Sequence, residues 1–320
     1  MRNWNEKISP AFAKINQKSI VVIIDYFGKW PEWFPAFLMS CRFNPSVDWL
    51  IHTDCPIPPE HPKNVHFKKI DYKDYCRRVS RKLRIRFRPA SPYKIADLKV
   101  TFGYLYEDQI KSFDYFAFGD LDVVYGNIRR FYSSKVLEHN IISASERMIT
   151  GHLTLIKNVK WLRTAFKNIP HWRDMLEMPV QYGYENALDE AAFSDLFLGT
   201  RRYTFPIKKN KKNQNVFRSN NYFVEQYPTP YMNAPWIGKS SKHPSEWYWK
   251  DGVVKSCLDK NHQYLYLHFS TFKSPKCRAK RFRRRPSWKN VKKIVRFRWE
   301  NWDPKKDVLI INERGLFLKK

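Results

Sequence analysis

The sequence predicts an α/β protein whose mainly parallel sheet is flanked by helices. Two observations support this prediction: short apolar or β-branched runs recur along the chain, and stretches with helical apolar spacing separate them. Strands that alternate with helices are typical of parallel sheets, because each crossover returns the chain to the same end of the sheet. A chain of 320 residues is long enough to bury a large core around such a sheet.

The predicted elements follow one another from the first third of the chain. The first strand is a run of Ile and Val that ends at Asp25, as in a buried parallel strand that feeds a loop beside a ligand crevice. The predicted strands are 20–25, 49–52, 65–70, 115–118, 141–144, 152–156 and 264–268. The predicted helices are 33–41, 93–106, 159–168 and 188–198.

The charge balance is strongly basic, with 59 Lys and Arg against 30 Asp and Glu and a net charge of +29. Such a surplus favours anionic partners, either nucleic acid or the phosphate-rich surface of a membrane. Basic side chains concentrate in 77–88, in 208–218 and in 273–298, where thirteen Lys and Arg occur without an acid. We therefore expect a catalytic domain over 1–272 and a basic C-terminal extension over 273–320, which either is solvated or docks to a membrane.

Other features bear on the compartment of the protein. The five cysteines form no C-x-x-C pair, which favours reduced thiols over a zinc site or a disulfide framework. The first residues lack the apolar core of a signal peptide, and no uncharged apolar run approaches the ~20 residues that cross a bilayer. We expect a cytoplasmic protein at the inner face of the cytoplasmic membrane.

Two carboxylates separated by one residue give the strongest local signal. Asp120 and Asp122 come directly after the apolar run 115–118. At the end of a strand both can turn into the crevice, where hard oxygen ligands would hold Mg²⁺ or Mn²⁺ against a diphosphate. The alternative is a loop pair that caps the following turn.

Three further groups of residues are candidates. His268 ends a predicted strand and could be a third metal ligand, with Lys273 reaching a phosphate, although a histidine in that position is often a core residue. Asp189 and Glu190 open a predicted helix, where one could serve as general base or stabilise an oxocarbenium-like transition state, and Asp189 could instead be an N-cap.

Lys94 and Asp97 lie three residues apart and so share one face of a helix. Lys94 could meet a phosphate and Asp97 a ribose or sugar hydroxyl. An ordinary salt bridge explains the pair equally well.

The order of these motifs resembles glycosyltransferases of the GT-A fold, over about residues 18–275. It is most similar to bacterial lipopolysaccharide and capsule enzymes, including a galactosyltransferase-like family in which D-x-D and a C-terminal His hold Mn²⁺. The opening 24–31 and the segment 150–158 also resemble a poorly characterised set of bacterial proteins assigned to that superfamily. The family's His-x-x-Gly-x-x-Lys ending is replaced by 268–273, which lacks the Gly and is one residue shorter.

The resemblance implies roles for individual residues. The metal ligands would be Asp120, Asp122 and His268, holding Mn²⁺ or Mg²⁺. The donor-binding residues would be Asp25, Tyr26, Phe27, Lys94, Asp97 and Lys273. We further expect Asp189 or Glu190 to be catalytic, and Gly151 and His152 to meet the acceptor.

The sequence therefore predicts transfer of a sugar from a nucleoside diphosphate to a glycan or lipid-linked glycan, in the synthesis of a bacterial surface polysaccharide. Retaining and inverting chemistry both remain open. One alternative is a basic nucleic-acid-binding protein, for which no helix-turn-helix, zinc-finger or RNP motif is present. The other is an inactive relative that acts as a scaffold.

Overall fold

A computed structural model describes residues 7–11, 17–146, 148–181, 187–199, 217, 219–224, 243–259, 261–269, 302–312 and 315–320. The chain divides into two compact units that alternate along the sequence. The first unit comprises Met1–Lys29, Ser46–Asp120 and Ser134–Val224. The second unit comprises Trp30–Pro45, Leu121–Ser133 and Glu225–Lys320. The predicted boundary at residue 272 is a different division, drawn from charge alone.

The described residues form strands and mostly short helices. The strands are β1 Ile20–Tyr26, β2 Val47–Thr53, β3 Val65–Lys69, β4 Tyr115–Gly119, β5 Val123–Tyr125, β6 Ile141–Ser143, β7 Leu153–Lys157, β8 Asn221–Phe223, β9 Glu246–Lys250, β10 Val253–Ser256, β11 Tyr266–His268, β12 Val308–Asn312 and β13 Gly315–Lys319. The α-helices are α1 Phe34–Arg42, α2 Tyr72–Leu83, α3 Phe102–Leu105, α4 Glu107–Ile110, α5 Ile128–Phe131, α6 Lys160–Arg163, α7 Trp172–Glu177 and α8 Phe193–Leu198. Pro92–Thr101, Val136–Glu138 and Ala165–Asn168 are 3₁₀ helices, and Leu188–Ala192 is a π-helical turn.

The first unit is built on a seven-stranded sheet in the order β3-β2-β1-β4-β7-β6-β8. The β3-β2, β2-β1, β1-β4 and β6-β8 pairs are parallel, whereas β7 runs antiparallel to both of its neighbours. β1 and β4 are almost fully buried, as expected for parallel strands covered on both faces. The prediction of an α/β fold with a mainly parallel sheet flanked by helices is confirmed.

One predicted helix of the first unit has a different form. The apolar spacing of 93–106 predicts an α-helix, but the chain forms a 3₁₀ helix over Pro92–Thr101 and only then a short α-helix, α3. The tighter 3₁₀ winding places residues three apart in one line, which suits the pair Lys94 and Asp97. This segment positions three of the side chains described below.

The second unit contains an antiparallel sheet in the order β10-β9-β12-β13 and the two-stranded ribbon β5-β11. Its core holds Trp247, Trp249, Leu309 and Ile311, all at most 1% exposed. Residues 302–320, which the charge pattern groups with the basic extension, therefore supply two strands of this sheet. Within the described residues, no helix combines the length and apolarity that a membrane span needs.

Candidate functional site

The D-x-D motif follows a strand in the middle of the first unit's sheet. All five residues of β4 are buried, and Asp120 comes next in the chain. Asp25 lies near the end of the neighbouring parallel strand β1. Because parallel strands end at one edge of the sheet, Asp25 and Asp120 lie at the same sheet edge of this unit, and a donor crevice at that edge stays a prediction.

A lysine, which sequence analysis did not assign, joins several predicted residues of the first unit. Lys99 Nζ lies 2.6 Å from Asp120 Oδ1 and 3.5 Å from Asp189 Oδ2, and it donates a hydrogen bond of 2.9 Å to Gly151 O. Burial alone lowers the pKa of Lys99, but the charges of Asp120 and then Asp189 outweigh it and hold the pKa above its ordinary value. Lys99 is therefore a buried ammonium group that ties the first carboxylate of the D-x-D motif to the predicted catalytic acids.

Asp189 and Glu190 lie in a π-helical turn that leads into α8. The N–H of Ala192 reaches back five residues to Ala187 O at 3.2 Å, and Ala187 occupies the N-cap position. Asp189 is thus not the N-cap, which was the alternative interpretation from sequence. Such π-turns often occur at functional sites.

Gly151 packs directly against the two acids. Its N–H donates to Glu190 Oε1 at 3.0 Å, and a Cβ on this residue would come within 2.4 Å of Asp189 Oδ2. A side chain at this position would force the carboxylate of Asp189 to move. The structure therefore brings Gly151 into contact with Asp189 and Glu190, and the role of the glycine toward an acceptor stays a prediction.

The surroundings of Asp189 raise its pKa. Burial raises the pKa of Asp189 well above its ordinary value, Lys99 opposes this, and Glu190 adds to it. The two adjacent acids thus have unequal environments, which is how enzymes assign different roles to paired carboxylates.

Lys94 and Asp97 form a buried ion pair rather than an exposed one. Lys94 Nζ lies 2.8 Å from Asp97 Oδ2 and donates to Met175 O at 2.6 Å. Asp97 Oδ1 accepts hydrogen bonds of 3.2 Å from the N–H of Leu188 and from Gln181 Nε2. Asp97 consequently fixes the start of the turn that carries Asp189 and Glu190, and the role of the pair in donor binding stays a prediction.

The predicted donor-binding residues at the end of β1 have several partners of their own. The Asp25 carboxylate accepts hydrogen bonds from the hydroxyls of Tyr75, at 2.6 Å, and Tyr106, and lies 2.8 Å from His52 Nδ1. Burial, followed by the charge of Asp25, raises the pKa of both tyrosines and keeps their hydroxyls as donors.

The two residues that follow Asp25 differ from each other in exposure. The Tyr26 hydroxyl donates to Lys29 O at 2.8 Å in an exposed position, whereas the buried Phe27 ring packs on Tyr72 and Tyr75. The predicted contact of these residues with a donor stays a prediction.

In the second unit, Asp122 and His268 face each other across the ribbon formed by β5 and β11. Val123 pairs with His268, and the N–H of Phe269 donates to Asp122 O at 3.0 Å. His268 Nε2 lies 3.5 Å from Asp122 Oδ2, and the two residues are 7% and 5% exposed. Backbone pairing thus brings the predicted ligands Asp122 and His268 together from positions 146 residues apart.

The two remaining predicted site residues are His152 and Lys273. His152 is buried just before β7. Lys273 lies outside the described residues.

Comparison with known proteins gives one match along most of the chain. A family of unknown function (DUF6625) matches residues 22–295. No curated protein matches.

Solved structures give weaker similarities. The apo form of mouse xyloside xylosyltransferase 1 is 13% identical, with a TM-score of 0.27 over 50% of this chain and 71% of that chain. Apo glycosyltransferase GlyE of Streptococcus pneumoniae TIGR4 is 15% identical, with a TM-score of 0.29 over 58% of this chain and 44% of that chain. The chain therefore spans less than half of the GlyE structure.

Proposed function

This chain belongs to the family of unknown function DUF6625, and we propose that it is a metal-dependent glycosyltransferase that uses a nucleoside-diphosphate sugar. The observation that carries the proposal is the second carboxylate of the D-x-D motif, Asp122, which faces the imidazole of His268 at 3.5 Å. An acid pair that follows a buried central strand, with a histidine brought to it from the far end of the sequence, suits metal-diphosphate chemistry better than nucleic-acid binding.

The donor set of the second unit fits a divalent cation. A separation of 3.5 Å is too long for a strong hydrogen bond, yet two ligand atoms that each lie about 2.1 Å from one cation are separated by roughly this distance. Carboxylate and imidazole together suit Mn²⁺. We assign Asp122 and His268 as ligands, with Asp120 as a third on the basis of its position two residues earlier in the chain. When bound, the cation would neutralise charge on the departing nucleoside diphosphate.

The acids of the first unit would serve the reacting sugar. Transfer breaks the bond between the anomeric carbon and the diphosphate oxygen, joins that carbon to an acceptor oxygen, and releases the acceptor's hydroxyl proton. The half-buried Glu190 can lie beside a reacting hydroxyl, whereas Asp189 is enclosed next to the Lys99 ammonium group. Glu190 is therefore the proposed base, or the carboxylate that stabilises positive charge on the sugar ring, and Lys99 holds Asp120 and Asp189 in place.

The remaining assignments follow from the sequence resemblance. The proposed donor-binding residues are Asp25, Tyr26, Phe27, Lys94, Asp97 and Lys273. The proposed acceptor-binding residues are Gly151 and His152. The acceptor is proposed to be a glycan or lipid-linked glycan of a bacterial surface polysaccharide, handled at the inner face of the cytoplasmic membrane. The 273–298 stretch is a further proposed contact with anionic lipid.

Thermal shift with nucleotide sugars tests the proposal. The full chain is heated with UDP-, GDP-, CMP- and dTDP-sugars, with and without Mn²⁺, and donor hydrolysis is followed in parallel. We expect one nucleotide class to raise the melting temperature only when Mn²⁺ is present, and the Asp122→Asn variant to lose that increase. No stabilisation by any donor with Mn²⁺, together with tight binding of RNA, would favour the nucleic-acid alternative.

A further inference from the structure

A row of arginines lies on the surface of the first unit at the end of α2. Arg81, Arg84, Arg86 and Arg88, here called the arginine row, are all exposed. Two other cations of the stretch 77–88 form ion pairs: Arg77 pairs with Asp74, and Lys82 pairs with Glu107. No guanidinium group of the arginine row forms an ion pair with a carboxylate among the described residues. The row is therefore a local excess of positive charge.

The backbone that carries the arginine row is fixed to the protein. Burial alternates after α2, with Ile85 and Phe87 inside and the arginines between them outside. The N–H of Ile85 donates to Ser80 O at 3.1 Å and that of Phe87 to Ser80 Oγ at 3.1 Å. The N–H of Arg86 donates to Glu177 Oε1 at 2.7 Å. Arg86 and Arg88 are therefore held on the outside of the protein.

Arg84 occupies a position at which glycine would be less strained. It ends α2 with φ 55° and ψ 52°, the left-handed conformation that usually calls for Gly after a helix. An arginine at this position adopts an unfavourable backbone conformation and adds a charge to the row. Ending the helix does not require an arginine, because glycine would do so with less strain.

Exposed apolar side chains lie beside one end of the arginine row. Tyr93 is 75% exposed and Val180 is 54% exposed, although both are large hydrophobic residues. The N–H of Ala90 donates to Pro179 O at 2.8 Å, so the two segments that carry these side chains run against each other next to Arg88. Cations beside projecting aromatic and aliphatic side chains are typical of surfaces that enter the headgroup region of a bilayer.

We propose that the arginine row, with Tyr93 and Val180, docks this protein onto an anionic lipid bilayer. The guanidinium groups would meet lipid phosphates, and Tyr93 and Val180 would enter the headgroup layer. A nucleic acid fits less well, because the residues that alternate with the arginines point into the core and offer no stacking surface along the row. This proposal concerns binding alone and does not depend on the sugar-transfer reaction.

Vesicle binding by the full-length chain tests the proposal. Binding to phosphatidylcholine vesicles is compared with binding to vesicles that also contain phosphatidylglycerol. Arg84→Gly should weaken binding to the anionic vesicles about fivefold, and Arg84→Gly with Arg86→Ala and Arg88→Ala roughly 100-fold. Arg84→Gly should melt at the same temperature as wild type or higher, which separates lost binding from lost folding.

A triple variant elsewhere supplies the matched control. The control variant carries Arg42→Ala, Lys250→Ala and Lys255→Ala, which remove three exposed charges from the second unit. Its vesicle binding should stay within about threefold of wild type, because the proposal assigns docking to the arginine row. Equal losses in the two triple variants would overturn the proposal, since net charge alone would then explain binding. A larger loss for single-stranded RNA than for vesicles in the arginine-row variant would also overturn it and assign the surface to nucleic acid.

Discussion

The ammonium group of Lys99 lies 2.6 Å from Asp120 Oδ1 and 3.5 Å from Asp189 Oδ2. One cation therefore joins the first acid of the D-x-D motif to an acid that follows it by 69 residues. Lys99 Nζ also donates a hydrogen bond to Gly151 O. The N–H of the same glycine donates to Glu190 Oε1, so Lys99 helps to hold the residue that binds Glu190. Lys99 is thus the centre of the proposed catalytic region in the first unit.

Replacing Lys99 should damage both stability and activity. Lys99→Met leaves Asp120 and Asp189 without their cation and should lower the free energy of unfolding by about 3 kcal/mol, as when one partner of a buried ion pair is removed. The pKa of Lys99 is raised, so its contribution is fully present below its ordinary pKa of about 10.4 and is lost only as the pH rises through the higher folded value. Denaturant unfolding between about pH 6 and 9 should show a constant deficit in the free energy of unfolding of the variant.

The exposed Lys111 offers a control for Lys99. Lys111→Met should change stability by less than ~0.5 kcal/mol. A deficit of similar size in both variants would show that the ion pairs of Lys99 do not stabilise the fold.

Asp189→Asn should alter the pH dependence of stability. The folded pKa of Asp189 lies above its unfolded value, so the unfolded chain releases this proton first and wild-type stability falls as the pH rises above about 4. Asparagine does not titrate, so its stability does not fall in this way. The free energy of unfolding of the variant relative to wild type should therefore rise by about 1 kcal/mol per pH unit until folded Asp189 itself ionises. Denaturant unfolding of both proteins at several pH values above about 4 measures this difference. A difference in the free energy of unfolding that does not change with pH would contradict a raised pKa for Asp189.

Adding one methyl group at Gly151 should disturb the acid pair. The Cβ of Gly151→Ala would meet Asp189 Oδ2 at 2.4 Å and Glu190 Oε1 at 3.2 Å, so we expect a loss of about 1–3 kcal/mol in stability and a fall in turnover. In an Asp189→Ala background the nearest clashing atom is absent, so Gly151→Ala should lower the free energy of unfolding by less than it does in the wild type. A double-mutant cycle by thermal unfolding measures this coupling, and additive losses would show that the contact is unimportant.

Asp122→Asn should remove metal binding without unfolding the protein. The amide keeps the shape of the carboxylate but loses its charge, so transfer should fall below detection at saturating donor and Mn²⁺. Isothermal titration with Mn²⁺ measures the binding directly. Wild-type turnover in this variant would remove Asp122 from the metal site.

Glu190→Gln should slow the reaction with little change in donor affinity. A lost general base lowers turnover by roughly 10²- to 10⁴-fold. Steady-state kinetics with donor and acceptor varied separately distinguish this from a binding defect. Turnover equal to that of wild type would place the catalytic carboxylate elsewhere.

The sequence was most informative where one short segment determines the local structure. The Ile and Val run predicts β1 to within two residues, and the apolar run before Asp120 predicts β4. The salt bridge offered as one explanation for Lys94 and Asp97 is present, because spacing within a helix sets that contact.

The sequence was least informative where partners come from distant segments. Lys99 has no unusual neighbours in the sequence, and its partners Asp120, Asp189 and Gly151 are brought to it by folding. The strands β9, β10, β12 and β13 were also not predicted. β12 and β13 follow a strongly basic stretch, and a local pattern does not show that β12 pairs with a strand 60 residues earlier.

The hydrogen bonds around Asp25 also constrain the order in which the first unit can assemble. Pairing β1 with β2 alone would bring His52 to this carboxylate while its two tyrosine donors, 50 and 81 residues further along, were still in solution. A carboxylate that is enclosed with only part of its hydrogen-bond donors is costly, so such a partial sheet would be less stable than the complete one. We infer that β1, α2 and the segment up to Tyr106 become ordered in one cooperative step, and that closing these long loops makes folding slow.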